Sequence, residues 1–268
     1  GDEAIPAYPV RAIAESPRMR PRREGLYAPL IGRAREMEQL TACLNDLLDG
    51  RGGVVSITGE AGIGKSRLVV EFREQVGDRV QWLEGRCVSY GQAMNYSPFR
   101  GIIGSYLGIL PTDTEEQMKA KLEERVNALL PAEHKWHPIL VGEVFFPQYE
   151  AVLRTASGAD YARQGTFPIM RNLFEKIAEG KPLVMLIDDL HWGDPSSLAL
   201  LEYLMENVDE APILYLWVYR PERHSVIQRS RPACTRGRRV RFCVHFRDGR
   251  HAEPEHSLHA PRTSWQAS

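Results

Sequence analysis

The run Gly59-Glu60-Ala61-Gly62-Ile63-Gly64-Lys65-Ser66 constrains this chain more than any other stretch. It fits the pattern Gly-x-x-x-x-Gly-Lys-Ser/Thr, and its flanks agree with it. Gly53-Val54-Val55-Ser56-Ile57-Thr58 is a short apolar, β-branched run that reads as a buried strand. Beyond the loop, Leu68, Val69, Phe72 and Val76 recur at helical spacing, and Gly77 is placed to end the helix. Strand, glycine loop and helix together make a phosphate cradle. Glycines let the backbone curl with its N–H groups inward, and a new helix offers unpaired N–H groups and a positive dipole end. The segment from Gly59 to Ser66, continued by Arg67, is therefore the expected binding loop. Lys65 is expected to reach the β- and γ-phosphates, and the Ser66 hydroxyl to ligate Mg²⁺.

Composition excludes several alternatives. The 268 residues suffice for one large or two small domains, with 43% hydrophobic and 26% charged residues as in ordinary globular proteins. The net charge of −1 gives no global basic field to attract nucleic acid. No apolar run approaches the roughly 18–20 residues of a membrane span, and the first residues lack a signal-peptide core. Cys43, Cys87, Cys234 and Cys243 form no Cys-x-x-Cys pair, which suits reduced, structural thiols in a cytosolic protein. Opening on glycine rather than methionine is what a fragment would do.

Residues 1–28 carry scattered prolines and the cluster Arg18, Arg20, Arg22 and Arg23, and are expected to be a linker. A helix bearing Met37, Leu40, Leu44, Leu47 and Leu48 should follow, closed by Gly50. Val80 to Gly85 reads as a second strand, and the region from Ser97 to Gly180 as mainly helical. Within it Thr112 to Leu130 is an amphipathic helix with Thr114 as cap, and Phe167 to Ala178 is another. Pro182 to Ile187 is a continuous apolar run suited to a strand covered on both faces. Asp194-Pro195 supplies the cap and first-turn proline of the next helix, and Ile213 to Val218 a fourth strand. Four strands separated by helices imply an α/β fold: a central parallel sheet in three layers, incomplete at its C-terminal end. The nucleotide core is expected over residues 29–228. From Arg229 onward, nine arginines and four of the eight histidines crowd into forty residues with few aliphatics. Residues 229–268 are therefore expected to be disordered, as a frame-shifted end would be, with a basic nucleic-acid tail as the sharper alternative. Arg239 to Phe246 alternates like a strand, but no nearby helix is available to cover it. The sheet should accordingly stop at its fourth strand, leaving Ile213 to Val218 an apolar edge.

The apolar run of the third strand ends in Asp188-Asp189. A carboxylate at a strand end beside a phosphate loop can support Mg²⁺, which is the expected role of Asp188. Asp189 is placed to orient or deprotonate an attacking water. His191 has no partner at metal-ligand spacing, and Trp192 is expected to pack rather than to touch a ligand.

Asp188-Asp189-Leu190-His191-Trp192-Gly193-Asp194-Pro195-Ser196-Ser197-Leu198 resembles the signature of STAND-type ATPases, a signalling branch of the AAA+ class. It is most similar to the modules that follow class III adenylate/guanylate cyclase domains or open large LuxR-type regulators. Pro29 to Arg33 resembles the Gly-Arg box of that family, and Trp82 to Cys87 with Tyr96 to Phe99 its second-strand region. Tyr219-Arg220-Pro221-Glu222 resembles its fourth-strand end, where the resemblance implies that Arg220 senses the γ-phosphate. The matching stretches span about residues 29–223. Arg33 has two readings, one in which it approaches the adenine and one in which it caps its own region. The resemblance implies ATP and Mg²⁺ as ligands, slow hydrolysis, a linked or associated signalling domain as partner, and nucleotide-dependent self-association. Two departures stand out. Asp189 is one methylene shorter than the glutamate of brisk AAA+ enzymes, and no helical lid is recognisable after Arg220. A non-hydrolysing nucleotide-binding scaffold is the alternative. No Asn-Lys-x-Asp guanine motif and no Leu-Ser-Gly-Gly transporter signature occurs.

Overall fold

A computed structural model describes residues 31–89, 94–130, 137–157, 162–206, 208, 211–220 and 240–245. The chain alternates helix and strand: α1 (Ala34–Leu48), β1 (Gly53–Thr58), α2 (Lys65–Val76), β2 (Gln81–Arg86), α3 (Ser97–Leu107) and α4 (Glu115–Leu129). It continues with α5 (His137–Gly142), α6 (Gln148–Ser157), α7 (Phe167–Gly180), β3 (Leu183–Asp188), α8 (Pro195–Met205), β4 (Ile213–Tyr219) and β5 (Val240–His245). The strands form one sheet in the order β2-β3-β4-β1-β5, and every described pairing is parallel.

Both faces of the sheet are covered, which is why the strands read as unbroken apolar runs. On one face, Val55, Ile57, Val184, Leu186, Leu214 and Leu216 pack against α1 and α2. On the other, Leu83, Met185, Ile187, Tyr215 and Trp217 join a larger core with α3, α4, α7 and α8. The predicted apolar face of α2 is correct: Leu68, Val69, Phe72 and Val76 are all fully buried. Burial of each such side chain stabilises by about 1.5–3 kcal/mol. Gly77, at φ +55°, ends this helix as expected. In α4, Thr114 and Gln117 form a reciprocal capping box, so the helix begins at Glu115 rather than Thr112. Leu48 is the exception on α1, remaining 39% exposed.

One expectation is corrected. The sheet does not stop at four strands, and Ile213 to Val218 is not an apolar edge. β4 lies between β3 and β1, and all seven of its residues are buried. Val240–His245 forms a fifth strand beside β1, with a register shift between Val54 and Val55. Strand order is the physical reason. The segment needs no covering helix of its own, because α1 already reaches that side of the sheet. The linker assigned to residues 1–28 lies outside the described residues, as does the remainder of 229–268.

β2 is closed on its outer side by α3. A Cβ at Gly85 would overlap the Pro98 carbonyl oxygen, and Ile102 lies close by. Glycine is thus what allows the helix to approach the strand. Replacing Gly85 with Ala should cost about 1–3 kcal/mol through overpacking, read as a lower urea midpoint. An unchanged midpoint would show that α3 is not seated on β2 in this way.

Candidate functional site

The carboxyl ends of β1, β3 and β4 open into one cleft of about 300 Å³. The loop after β1 contributes Ala61, Gly62 and Gly64, and the start of α2 contributes Lys65, Ser66 and Arg67. Asp188 and Asp189 come from the end of β3, and Arg220 from the end of β4. This is where ligands bind in open parallel sheets, because helix N-termini and strand-end side chains converge there.

Gly62 and Gly64 have φ of +78° and +100°, a left-handed backbone that glycine adopts without strain. No side chain caps α2, so its first-turn N–H groups remain for an anion. The Lys65 ammonium donates to the carbonyl oxygens of Gly59 (2.6 Å) and Glu60 (2.7 Å). Burial and the neighbouring Arg220 guanidinium lower its pKa from the ordinary lysine value. An anion in the cleft would supply the compensation that these two carbonyls give only in part. The Ser66 residue is exposed on the cleft wall. These groups fit a nucleotide with a divalent metal: an uncapped helix start, a cation set of Lys65, Arg67 and Arg220, and a hydroxyl that shares the cleft with two carboxylates.

Asp188 accepts the Asp189 N–H at Oδ1 (2.9 Å). Burial, followed by the Asp189 charge, raises its pKa above the ordinary carboxylate value. A divalent cation would relieve both effects. Asp189 adopts a left-handed backbone, φ 53° and ψ 36°, at the head of a short 3-10 turn, Leu190–Trp192. Its Oδ2 accepts from Arg86 Nε (3.1 Å) and Nη2 (2.8 Å). This pair is partly solvated, and exposed ion pairs contribute about 0–1 kcal/mol, so it can be exchanged for other contacts.

Arg86 is the site residue that sequence reasoning missed. It ends β2 directly beside Asp188 in the register. The signal lay in the register, which an isolated strand does not reveal. Not every expected residue lines the cleft. Gly59 and Glu60 contribute carbonyls to Lys65, and Ile63 packs toward the α1–α2 core. Arg33 does not line the cleft either. Its guanidinium donates to Glu36 Oε1 (2.9 Å) and to the Ile63 carbonyl (3.3 Å), bracing the loop from α1. Trp192 packs against the larger core, with its ring 5.3 Å from that of His191. Cys87 donates its backbone N–H to the Asp188 carbonyl (3.0 Å), while burial pushes its thiol pKa up and makes it unreactive.

The raised pKa of Asp188 has a consequence for the ligand-free chain. Ionising this group costs stability, a cost absent below its unfolded pKa and growing as pH rises through its higher folded value. Asp188→Asn should therefore stabilise the ligand-free protein at pH 7 by about 0.5–2 kcal/mol, a gain that vanishes in acid. Thermal melts at both pH values check this. An equal shift at both would rule out relief of charge as the cause.

The sequence profile of the AAA ATPase domain matches residues 29–218. An uncharacterized protein of Rhizobium meliloti (strain 1021) is 29% identical over 199 residues, which cover 72% of this chain and 19% of that protein. The chain thus spans about a fifth of that relative's length. Among solved structures, Cdc6p from Pyrobaculum aerophilum is similar at 16% identity and a TM-score of 0.46, over 82% of this chain and 47% of that one. VirB4 of Thermoanaerobacter pseudethanolicus is similar at 12% identity and a TM-score of 0.30, over 76% and 81%. With the profile matched across most of its length and the cleft built from its loop and strand ends, the chain belongs to the AAA ATPase domain family.

Proposed function

We infer that this chain is the nucleotide-responsive module of a signalling protein. It binds ATP with Mg²⁺, hydrolyses it slowly, and uses its nucleotide state to gate a linked cyclase or transcription regulator of the STAND type. Residues 29–228 form its core in this reading. The observation that carries it is the convergence of Lys65, Ser66, Asp188, Asp189 and Arg220 on one cleft.

Each residue then has a task. The loop N–H groups and Lys65 hold the β- and γ-phosphates, Lys65 leaving the Gly59 and Glu60 carbonyls to do so. Ser66 and Asp188 would hold the magnesium, which would supply neutralising charge for the phosphate oxygens. Asp189 orients the attacking water and accepts its proton as the bond from the γ-phosphorus to the β–γ bridging oxygen breaks and ADP leaves, and Arg220 meets the γ-phosphate. The Arg86 contact holds the Asp189 carboxylate at the cleft wall, so turnover requires that contact to exchange. That exchange, together with the short aspartate side chain, accounts for slow hydrolysis. The same Arg86–Asp189 contact favours the second reading, a nucleotide-binding scaffold without turnover. Phosphate release by the purified chain with ATP and Mg²⁺ separates the two.

Lys65→Ala removes the charge that meets the phosphates while leaving the loop glycines in place. ATP affinity should fall at least about tenfold by calorimetry, with the melting temperature of the ligand-free protein little changed. Equal affinities would sink the phosphate-loop assignment. Asp189→Asn should leave ATP affinity within about twofold and reduce phosphate release about 100-fold or more. A parallel loss of affinity would place Asp189 in binding rather than in water activation.

A further inference from the structure

The described residues contain two non-glycine residues in the left-handed region, Asp189 (φ 53°) and Tyr96 (φ 58°). They stand 93 positions apart in the sequence, yet one buried carboxylate joins their segments. Asp194 is 1% exposed and accepts four hydrogen bonds. Its Oδ1 accepts the N–H of Tyr96 (3.0 Å) and its Oδ2 the N–H of Ser97 (3.0 Å), while Ser197 gives its N–H to Oδ1 (2.8 Å) and its hydroxyl to Oδ2 (2.7 Å). The Ser197 N–H bond caps α8, as the sequence leads one to expect. The bonds to Tyr96 and Ser97 are not part of that cap. They fix the start of α3, the helix seated on β2.

The connection from Asp189 to Asp194 is short and braced by two backbone hydrogen bonds. The Trp192 N–H donates to the Asp189 carbonyl and the Gly193 N–H to the Leu190 carbonyl, both at 2.9 Å. Leu190 is buried, and a Cβ at Gly193 would crowd the Leu190 carbonyl and the Leu198 side chain. The exit of β3 is therefore tied twice: to the end of β2 through Asp189 and Arg86 at the cleft, and to the start of α3 through Asp194. A strained backbone persists only where its surroundings over-determine it, and for Asp189 the two turn bonds and the buried Asp194 tie do so, the solvated Arg86 contact adding little.

We propose that Asp194 is a positioning residue for Asp189: by anchoring the Leu190–Trp192 turn to the start of α3, it holds the Asp189 carboxylate at the cleft. This rests on the hydrolysis reading only for its effect on turnover. The effect on the Asp189 backbone does not depend on it.

Asp194→Ser discriminates between this role and simple capping. Serine still caps α8, but its single short oxygen does not reach Tyr96 and Ser97 as well. Ser197→Ala serves as the control, since it removes one buried bond and leaves the tie to α3. In the full chain, Asp194→Ser should lower phosphate release at least about tenfold at unchanged ATP affinity, as a displaced catalytic group does. It should also move the Asp189 Cα and Cβ chemical shifts toward values for an ordinary backbone. In an Asp189→Asn background the further loss of turnover should disappear. Ser197→Ala should retain wild-type turnover and Asp189 shifts even where its melting temperature falls. Unchanged Asp189 shifts in folded Asp194→Ser would overturn the proposal, whatever the turnover. A wild-type chain that binds ATP but releases no phosphate would overturn the hydrolysis reading alone, and the shifts would still decide the role of Asp194.

Discussion

The pairing of β1 with β4 is the constraint on which the site depends. Gly53 to Thr58 run in register with Leu214 to Tyr219, so the glycine loop and Arg220 leave the sheet side by side. β3 lies on the other flank of β4 and delivers Asp188 and Asp189 to the same end. Residues distant in sequence thereby meet at one end of the sheet. The interior position of β4 also explains its composition, since a strand covered on both faces and paired on both edges can be apolar throughout.

Charge in the cleft is balanced locally rather than in sum. Lys65 is held by carbonyl oxygens and by the carboxylates across the cleft, against the repulsion of Arg220. Asp188 is disfavoured as an anion by burial and by Asp189, while Asp189 is met by Arg86. Each of these arrangements is a compromise that an anion together with a divalent cation would improve. Functional sites keep such costs because replacing the charged groups would remove the chemistry along with the strain.

The elements were legible wherever the local pattern decides them. The strand 53–58 agrees at both ends, and the caps at Thr114 and Asp194 were visible as residue types in the right places. Pairing was not legible. Strand order depends on contacts between distant residues, and its misreading turned β4 into an edge and left Val240–His245 without a partner. Arg86 was overlooked for the same reason, because its meaning comes from lying beside Asp188 across the sheet. Asp194 was half legible: the cap is a local signal, whereas the bonds to Tyr96 and Ser97 span almost a hundred residues.

Hydrogen exchange of the loop amides tests the phosphate cradle most directly. Backbone N–H groups that hold phosphate oxygens are shielded only while the ligand is bound. Saturating ATP with Mg²⁺ should therefore slow exchange at Gly62, Gly64, Lys65 and Ser66 at least about tenfold, with less protection when the metal is chelated. Unchanged exchange at these amides, in a chain shown to be folded and at millimolar ATP with Mg²⁺, would contradict a nucleotide site in this cleft.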